Sequence, residues 1–154
     1  VKLLSKALFN QCVTAENRAG KAYHILIEEA HRYVQNDTDT KLFGYNIFDR
    51  IAKEGRKYGI LLGFITQRPS EISETAISQC SNFLIFRTMH AKDVNYLETM
   101  MPNVTKDTIN TIKTLQPGTC MTFGSAFKIP ISVKLQMPNP APLSSNAQIE
   151  SIWY

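Results

Sequence analysis

The sequence predicts an α/β fold, a mostly parallel sheet flanked by helices. Three observations predict it. The apolar runs at Tyr23–Ile27, residues 59–66 and residues 82–87 are continuous rather than alternating, as suits strands covered on both faces. Segments with apolar residues at helical spacing lie between them. Strand and helix thus alternate three times at short intervals, which favours right-handed βαβ crossovers.

The elements follow in order. Leu3, Leu4, Ala7, Leu8, Gln11 and Cys12 form an i, i+4 stripe, so residues 1–18 read as an amphipathic helix stopped by Gly20. The run Tyr23-His24-Ile25-Leu26-Ile27 is the first strand, ending in Glu28-Glu29. Residues 35–40 are polar and read as a loop. Ile47, Phe48, Ile51 and Ala52 resume helical spacing, with Gly55 near that helix's end. Residues 59–66 form the second strand, stopped at Gln67-Arg68-Pro69 because proline breaks a ladder. A short helix at 73–79, a strand at 82–87 and helices at 91–101 and 104–114 follow, the last capped by Thr105. Gln116-Pro117-Gly118 is a turn, and two strands near 119–123 and 129–135 close the fold. From Met137 the chain is rich in proline and serine and reads as an extended tail.

Composition narrows the class. A chain of 154 residues fits one compact domain and buries a core without disulfides or metals. Hydrophobic residues at 44% and charged residues at 19% argue against wholesale disorder. Lys and Arg number 17 against 13 Asp and Glu, and the net +4 admits a nucleic-acid partner without requiring one. Cys12, Cys80 and Cys120 lie far apart with no CxxC, which excludes a disulfide scaffold and zinc-finger spacing and fits a reducing, cytoplasmic setting. The longest apolar run, residues 60–65, is too short to span a bilayer. The first ten residues lack the core and cleavage site of a signal peptide. The chain starts at Val1 rather than Met, so it is expected to be a processed product or a piece of something longer.

Ligands of parallel sheets bind at the carboxyl ends of strands, where the clusters Glu28-Glu29, Gln67-Arg68 and Arg87 are expected. Strand side chains alternate faces, so neighbouring glutamates share a site only where the strand ends and the backbone turns. One carboxylate then binds hydrated Mg²⁺ and the other orients or deprotonates a water, the logic of a Walker B element. The plainer reading is a strand end with two solvated glutamates, and the pair alone favours it. HExxH chemistry fails because His24 and His31 are seven residues apart. His24 reads as a packed strand residue and His31 as a hydrogen-bonded residue after the turn. Adjacent carboxylates are also poorly placed to face each other across a sugar.

The string Ile25-Leu26-Ile27-Glu28-Glu29-Ala30-His31-Arg32-Tyr33 resembles the Walker B strand of the HerA-FtsK ATPases, and of HerA in particular. The later strings EGRKYG at 54–59 and TQRPSEI at 66–72 strengthen the resemblance. So do Ser78-Gln79-Cys80-Ser81-Asn82, the strand ending in Arg87 and the late Pro117-Gly118, and the likeness spans residues 22–135. Superfamily-2 helicases carry DEAH, but their Ser-Ala-Thr and paired-arginine motifs are absent here.

The resemblance implies a RecA-like P-loop ATPase that assembles as a ring, usually a hexamer, and translocates double-stranded DNA. It implies ATP and Mg²⁺ as cofactors. By position, Glu28 is the Mg²⁺-side acid and Glu29 the catalytic base. Glu28 is one methylene longer than the usual Asp, which favours a water-mediated metal contact. Gln67 matches the sensor position, and Arg68 joins Glu28 and Gln67 on the nucleotide side. Arg56 is the first choice for an arginine finger acting across the ring, with Arg50 and Arg68 as runners-up. Against this, Arg50, Lys53, Arg56 and Lys57 at helical spacing equally describe a solvated face.

One departure stands out: the sequence has no GxxxxGK[ST], the loop that holds the β- and γ-phosphates. In the family that loop lies upstream of Walker B. Residues 1–136 are therefore expected to be the C-terminal part of the ATPase domain, and 137–154 a Pro-rich tail ending in Ile152-Trp153-Tyr154. Alone, such a segment is expected to bind nucleotide poorly and hydrolyse none. Two functions compete. One is a motor in a DNA-end-processing or antiphage defence complex. The other is a noncatalytic HerA-like platform for a partner effector, a NurA-like nuclease or a sirtuin-like NADase. The set Glu28, Glu29, Arg56 and Gln67 favours a working ATPase, since a scaffold need not keep it. A simple DNA-binding module is the weakest reading, because no stripe interleaves aromatic and basic residues.

Overall fold

The computed structural model describes residues 1–35, 45–100, 104–127, 129–141 and 143. The elements are α1 (Lys2–Thr14), β1 (Tyr23–Ile27), α2 (Ile47–Glu54), β2 (Ile60–Phe64), α3 (Glu74–Ser78), β3 (Asn82–Ile85), α4 (Ala91–Met100), α5 (Lys106–Thr114), β4 (Thr119–Gly124) and β5 (Ile131–Lys134). Most of the expected loop at 35–40 and the Ile152-Trp153-Tyr154 terminus lie outside the described residues.

Helix starts follow side-chain caps. Asn46 accepts the Phe48 amide at 3.0 Å and opens α2. Ser73 accepts from Ala76 and opens α3, and Thr105 accepts from Thr108 and opens α5, as expected. Each cap satisfies an amide that the first helical turn leaves unpaired.

The sheet differs from expectation in its third strand. β1 and β2 pair in parallel across the α2 crossover, as the alternation predicts. β3 does not join them. It pairs antiparallel with β4, which pairs antiparallel with β5. A short, mostly apolar strand carries no pairing direction, and the partner that arrives by the turn at 116–118 sets it. Phe83 stacks on its cross-strand partner Phe123, ring centroids 5.0 Å apart.

Two apolar clusters hold the described residues together. Phe9, Ile27, Val34, Phe48, Ile51, Ile60, Ile72 and Ile77 form the first, under β1–β2. Ile85, Val94, Leu97, Ile109, Ile112, Leu115 and Met121 form the second. α4 and Phe83 touch both. Each such side chain contributes about 1.5–3 kcal/mol when fully buried.

Two burial expectations are corrected. The α1 helix exists, but it buries Ser5, Phe9 and Cys12, leaving Leu3 and Leu4 exposed. The ring of Phe9 meets Tyr58 edge-on at 5.6 Å, and that fit rotates the helix away from its leucines. Nor is the β1–β2 pair covered on both faces. Tyr23, Ile25 and Ile27 face the core beside Ile60, Leu62 and Phe64. His24, Leu26 and Leu61 face outward, so His24 is exposed rather than packed. A short apolar run reads the same whether one face is buried or two.

Candidate functional site

In β1–β2, Tyr23 lies opposite Ile60 and Ile27 opposite Phe64, so both strands leave the sheet at the same end. That edge therefore carries Glu28-Glu29 from one strand and Thr66-Gln67-Arg68 from the other. Two backbone bonds fasten it: the Ile65 amide donates to Ile27 O at 2.9 Å and the Ala30 amide to Ile65 O at 3.0 Å. Glu29 adopts φ 51°, ψ 42°, the left-handed region. This turn is what frees two consecutive glutamates from strand alternation. It costs roughly 1–2 kcal/mol in a residue with a Cβ.

His31 stands behind Glu29. Its side chain is 11% exposed, with Nε2 3.5 Å from Glu29 Oε2 and Nδ1 3.1 Å from Thr66 Oγ1. The Arg68 amide donates to the same Thr66 hydroxyl at 3.0 Å. One assignment satisfies every group: Arg68 N–H donates to Thr66, the Thr66 hydroxyl donates to Nδ1, and Nε2–H faces the Glu29 carboxylate.

The loop after β2 is braced at several points. Arg68 Nη1 pairs with Glu71 Oε1 at 3.0 Å. The Ser70 amide donates to the buried Asp93 carboxylate at 3.1 Å, and His90 Nδ1 lies 3.1 Å from its other oxygen. The Ser73 amide donates to Val34 O, and its hydroxyl to Asp49, each at 2.7 Å. Glu28 and Gln67 are exposed at this edge, and neither side chain is engaged among the described residues. No three His, Cys, Asp or Glu side chains converge as a metal cage among the described residues. A Mg²⁺ ion keeps its waters and takes one or two carboxylates plus substrate phosphates, and Glu28 is the exposed carboxylate that could hold one at this edge.

Arg56 is elsewhere. It sits in the 3-10 turn Gly55–Tyr58, before β2, at the opposite end of the sheet. The four steps from Ile60 to Phe64 separate the two ends, about 13 Å at 3.3 Å per step. Its guanidinium is exposed and has no partner among the described residues. Arg50 is engaged with its own domain. It lies 5.1 Å over Phe9, 5.2 Å over Tyr45 and 3.6 Å from Glu54. A hydrogen bond to Tyr45 is the largest influence raising its pKa; desolvation opposes it and Glu54 adds to it. Arg87 follows β3, which is not paired with β1–β2, so strand pairing does not bring it to the Glu29 edge.

The glycines of EGRKYG have structural causes. A Cβ at Gly55 would meet Ile60 O at 2.8 Å. Gly59 adopts φ 75°, and a Cβ there would strike Lys21 O. A recess lined by Cys12, Asn17, Lys21, Tyr23 and Tyr58 lies at this amino end. Burial pushes the Cys80 thiol up, and burial, then Glu74 and Cys80, push Tyr96 up.

Sequence reasoning placed Glu28, Glu29, Gln67 and Arg68 on one edge. It missed Thr66 and the bridging role of His31, although both follow paired strands at short offsets. It also missed the Asp93 brace, for which the sequence carries no signal.

No family model matches the chain. A probable helicase of Methanocaldococcus jannaschii is 36% identical over 112 residues, 73% of this chain and 21% of that protein. The DNA double-strand break repair helicase HerA of Pyrococcus furiosus is 32% identical over 111 residues, 72% of this chain and 20% of its own length. The HerA of Saccharolobus solfataricus is 31% identical over 128 residues, covering 83% of this chain and 25% of its own. The chain belongs to the HerA-FtsK ATPases, on the HerA side. It spans about a fifth of the length of the curated HerA relatives it matches. The fold agrees with the family. The genome-packaging NTPase B204 of Sulfolobus turreted icosahedral virus 2, in complex with AMPPCP, superposes with a TM-score of 0.69 at 13% identity. The match covers 89% of this HerA-like chain and 63% of B204. This is part of a RecA-like P-loop core. No described helix is long and apolar enough to cross a membrane.

Proposed function

We propose that this chain is the Walker B-to-C-terminal part of a HerA-like, ring-forming ATPase that uses ATP and Mg²⁺ to translocate double-stranded DNA. Residues 1–136 form that part of the ATPase domain and residues 137–154 its tail. The observation that carries the reading is the shared carboxyl edge of β1 and β2, where Glu28, Glu29 and Gln67 stand together.

Glu28, exposed and unengaged among the described residues, is the Mg²⁺-side acid, acting through water. The metal supplies charge neutralisation of the phosphates. Glu29 takes the proton of the attacking water, and Gln67 orients that water or the γ-phosphate through its amide. Arg68, paired with Glu71, lies beside the nucleotide as a secondary contact. Arg56 cannot reach its own Glu29 edge from the far end of β2, so it serves the neighbouring subunit as an arginine finger. Arg50, held by Phe9, Tyr45 and Glu54, is a support. This mechanism requires a phosphate-binding loop, which these 154 residues do not contain.

The test is Glu29→Gln in the complete polypeptide with its P-loop. Single-turnover phosphate release should fall about 10²–10⁴-fold while ATP binding persists. Unchanged turnover contradicts the assignment. Lost turnover with intact biological output would favour the assembly-platform function, in which the ring organises a nuclease or NADase effector.

A further inference from the structure

We propose that His31 is the positioning residue for Glu29, and that Thr66 fixes His31 in that task. The inference rests on the reading of Glu29 as the catalytic base and deepens it.

Three observations carry it. The imidazole is almost fully enclosed, yet both ring nitrogens face polar groups, one on each strand's exit. Nδ1 faces Thr66 Oγ1 at 3.1 Å and Nε2 faces Glu29 Oε2 at 3.5 Å. Thr66 Oγ1 is itself held, because it accepts from the Arg68 amide. With its hydroxyl donating to Nδ1, the ring carries its N–H at Nε2, on the side of the Glu29 carboxylate. Finally, Glu29 sits in a left-handed conformation on an edge where its carboxylate has no other described partner. Without His31 the carboxylate is free to sample several rotamers, and an attacking water loses its aligned base.

The arrangement also joins the two halves of the edge. Thr66 immediately precedes Gln67, so a shift of Gln67 on meeting the γ-phosphate moves the hydroxyl that holds His31. The base and the sensor are mechanically one unit, through a single buried ring.

The experiment compares ATP turnover in the complete, P-loop-containing polypeptide for His31→Ala, His31→Gln, Thr66→Val and Glu29→Gln. His31→Ala should lower kcat about 10²-fold, the scale of a misplacement near 1 Å, with KM for ATP nearly unchanged. His31→Gln, whose amide reaches toward Glu29 and donates, should recover about a tenth of the wild-type rate. Thr66→Val keeps the shape and removes the hydroxyl, so it should lower kcat about tenfold even if His31→Ala fails to fold. Wild-type kcat in Thr66→Val overturns the proposal. So does an equal loss in His31→Ala and His31→Gln that tracks a fall in melting temperature, which marks a merely structural histidine. Wild-type turnover in Glu29→Gln removes the base assignment and this inference together. Loss in Glu29→Gln alone removes only this inference.

Discussion

At the carboxyl end of β1 and β2 most polar groups are tied to one another; at the amino end the cations of the Gly55–Tyr58 turn face outward. The first end holds Glu29, His31, Thr66 and Arg68 in one chain of contacts, with Ser70 and Asp93, and Ser73 and Asp49, as separate pairs beside it, all between 2.7 and 3.5 Å. The second offers Arg56 and Lys57 on a tight turn fixed by Gly55 and Gly59. The difference separates two kinds of work. On the proposed reading, Glu29 is pre-arranged by its own chain, which removes the cost of arranging it during reaction, while Glu28 and Gln67 stay open to metal and nucleotide. On the same reading, Arg56 is held only at its backbone and its side chain is left to a partner surface.

Breaking the outward end should have the largest effect. Arg56→Ala is expected to lower ring turnover by about 10³-fold or more, the usual worth of an arginine finger, while Lys57→Ala changes it little. Steady-state ATPase rates at matched ring concentration check this, and equal effects at the two positions would return Arg56 to a solvated face. The next effect lies in the braced end. Asp93→Ala strips the Ser70 amide of its partner and is expected to destabilise by about 1–3 kcal/mol, read from denaturant midpoints. It should also loosen the Gln67 loop and lower turnover. Ser73→Ala removes the α3 cap and the Asp49 bond, with an expected loss of about 1–2 kcal/mol by the same measurement. Arg50→Ala should be smallest, about 0.5–1 kcal/mol from the lost contacts with Phe9 and Tyr45, and should leave turnover alone. A turnover loss there as large as that of Arg56→Ala would reassign the finger.

Much of this was legible in the residues. The runs around Ile25 and Leu62 announced two strands, the Thr105 cap announced a helix start, and the string Glu28-Glu29 with Gln67 announced the edge. What stayed hidden was relational. Nothing in Asn82-Phe83-Leu84-Ile85 says which neighbour it pairs with, because direction depends on where β4 arrives. Nothing in Leu3 and Leu4 says that Phe9 will claim the buried side of α1. His31 and Thr66 are 35 residues apart, and only the parallel register of β1 and β2 brings them into contact. Asp93 meets Ser70 for the same kind of reason.

The division of labour between the two ends is tested most directly by mixing two inactive proteins, Glu29→Gln and Arg56→Ala, and measuring ATP turnover of the mixed rings. If the ends act on different nucleotides, a subunit with intact Glu29 beside one with intact Arg56 restores a working site. Turnover should then rise to roughly a quarter of wild type in a random head-to-tail ring. Turnover that stays at the level of the unmixed variants would place both residues in one subunit's site and contradict the account.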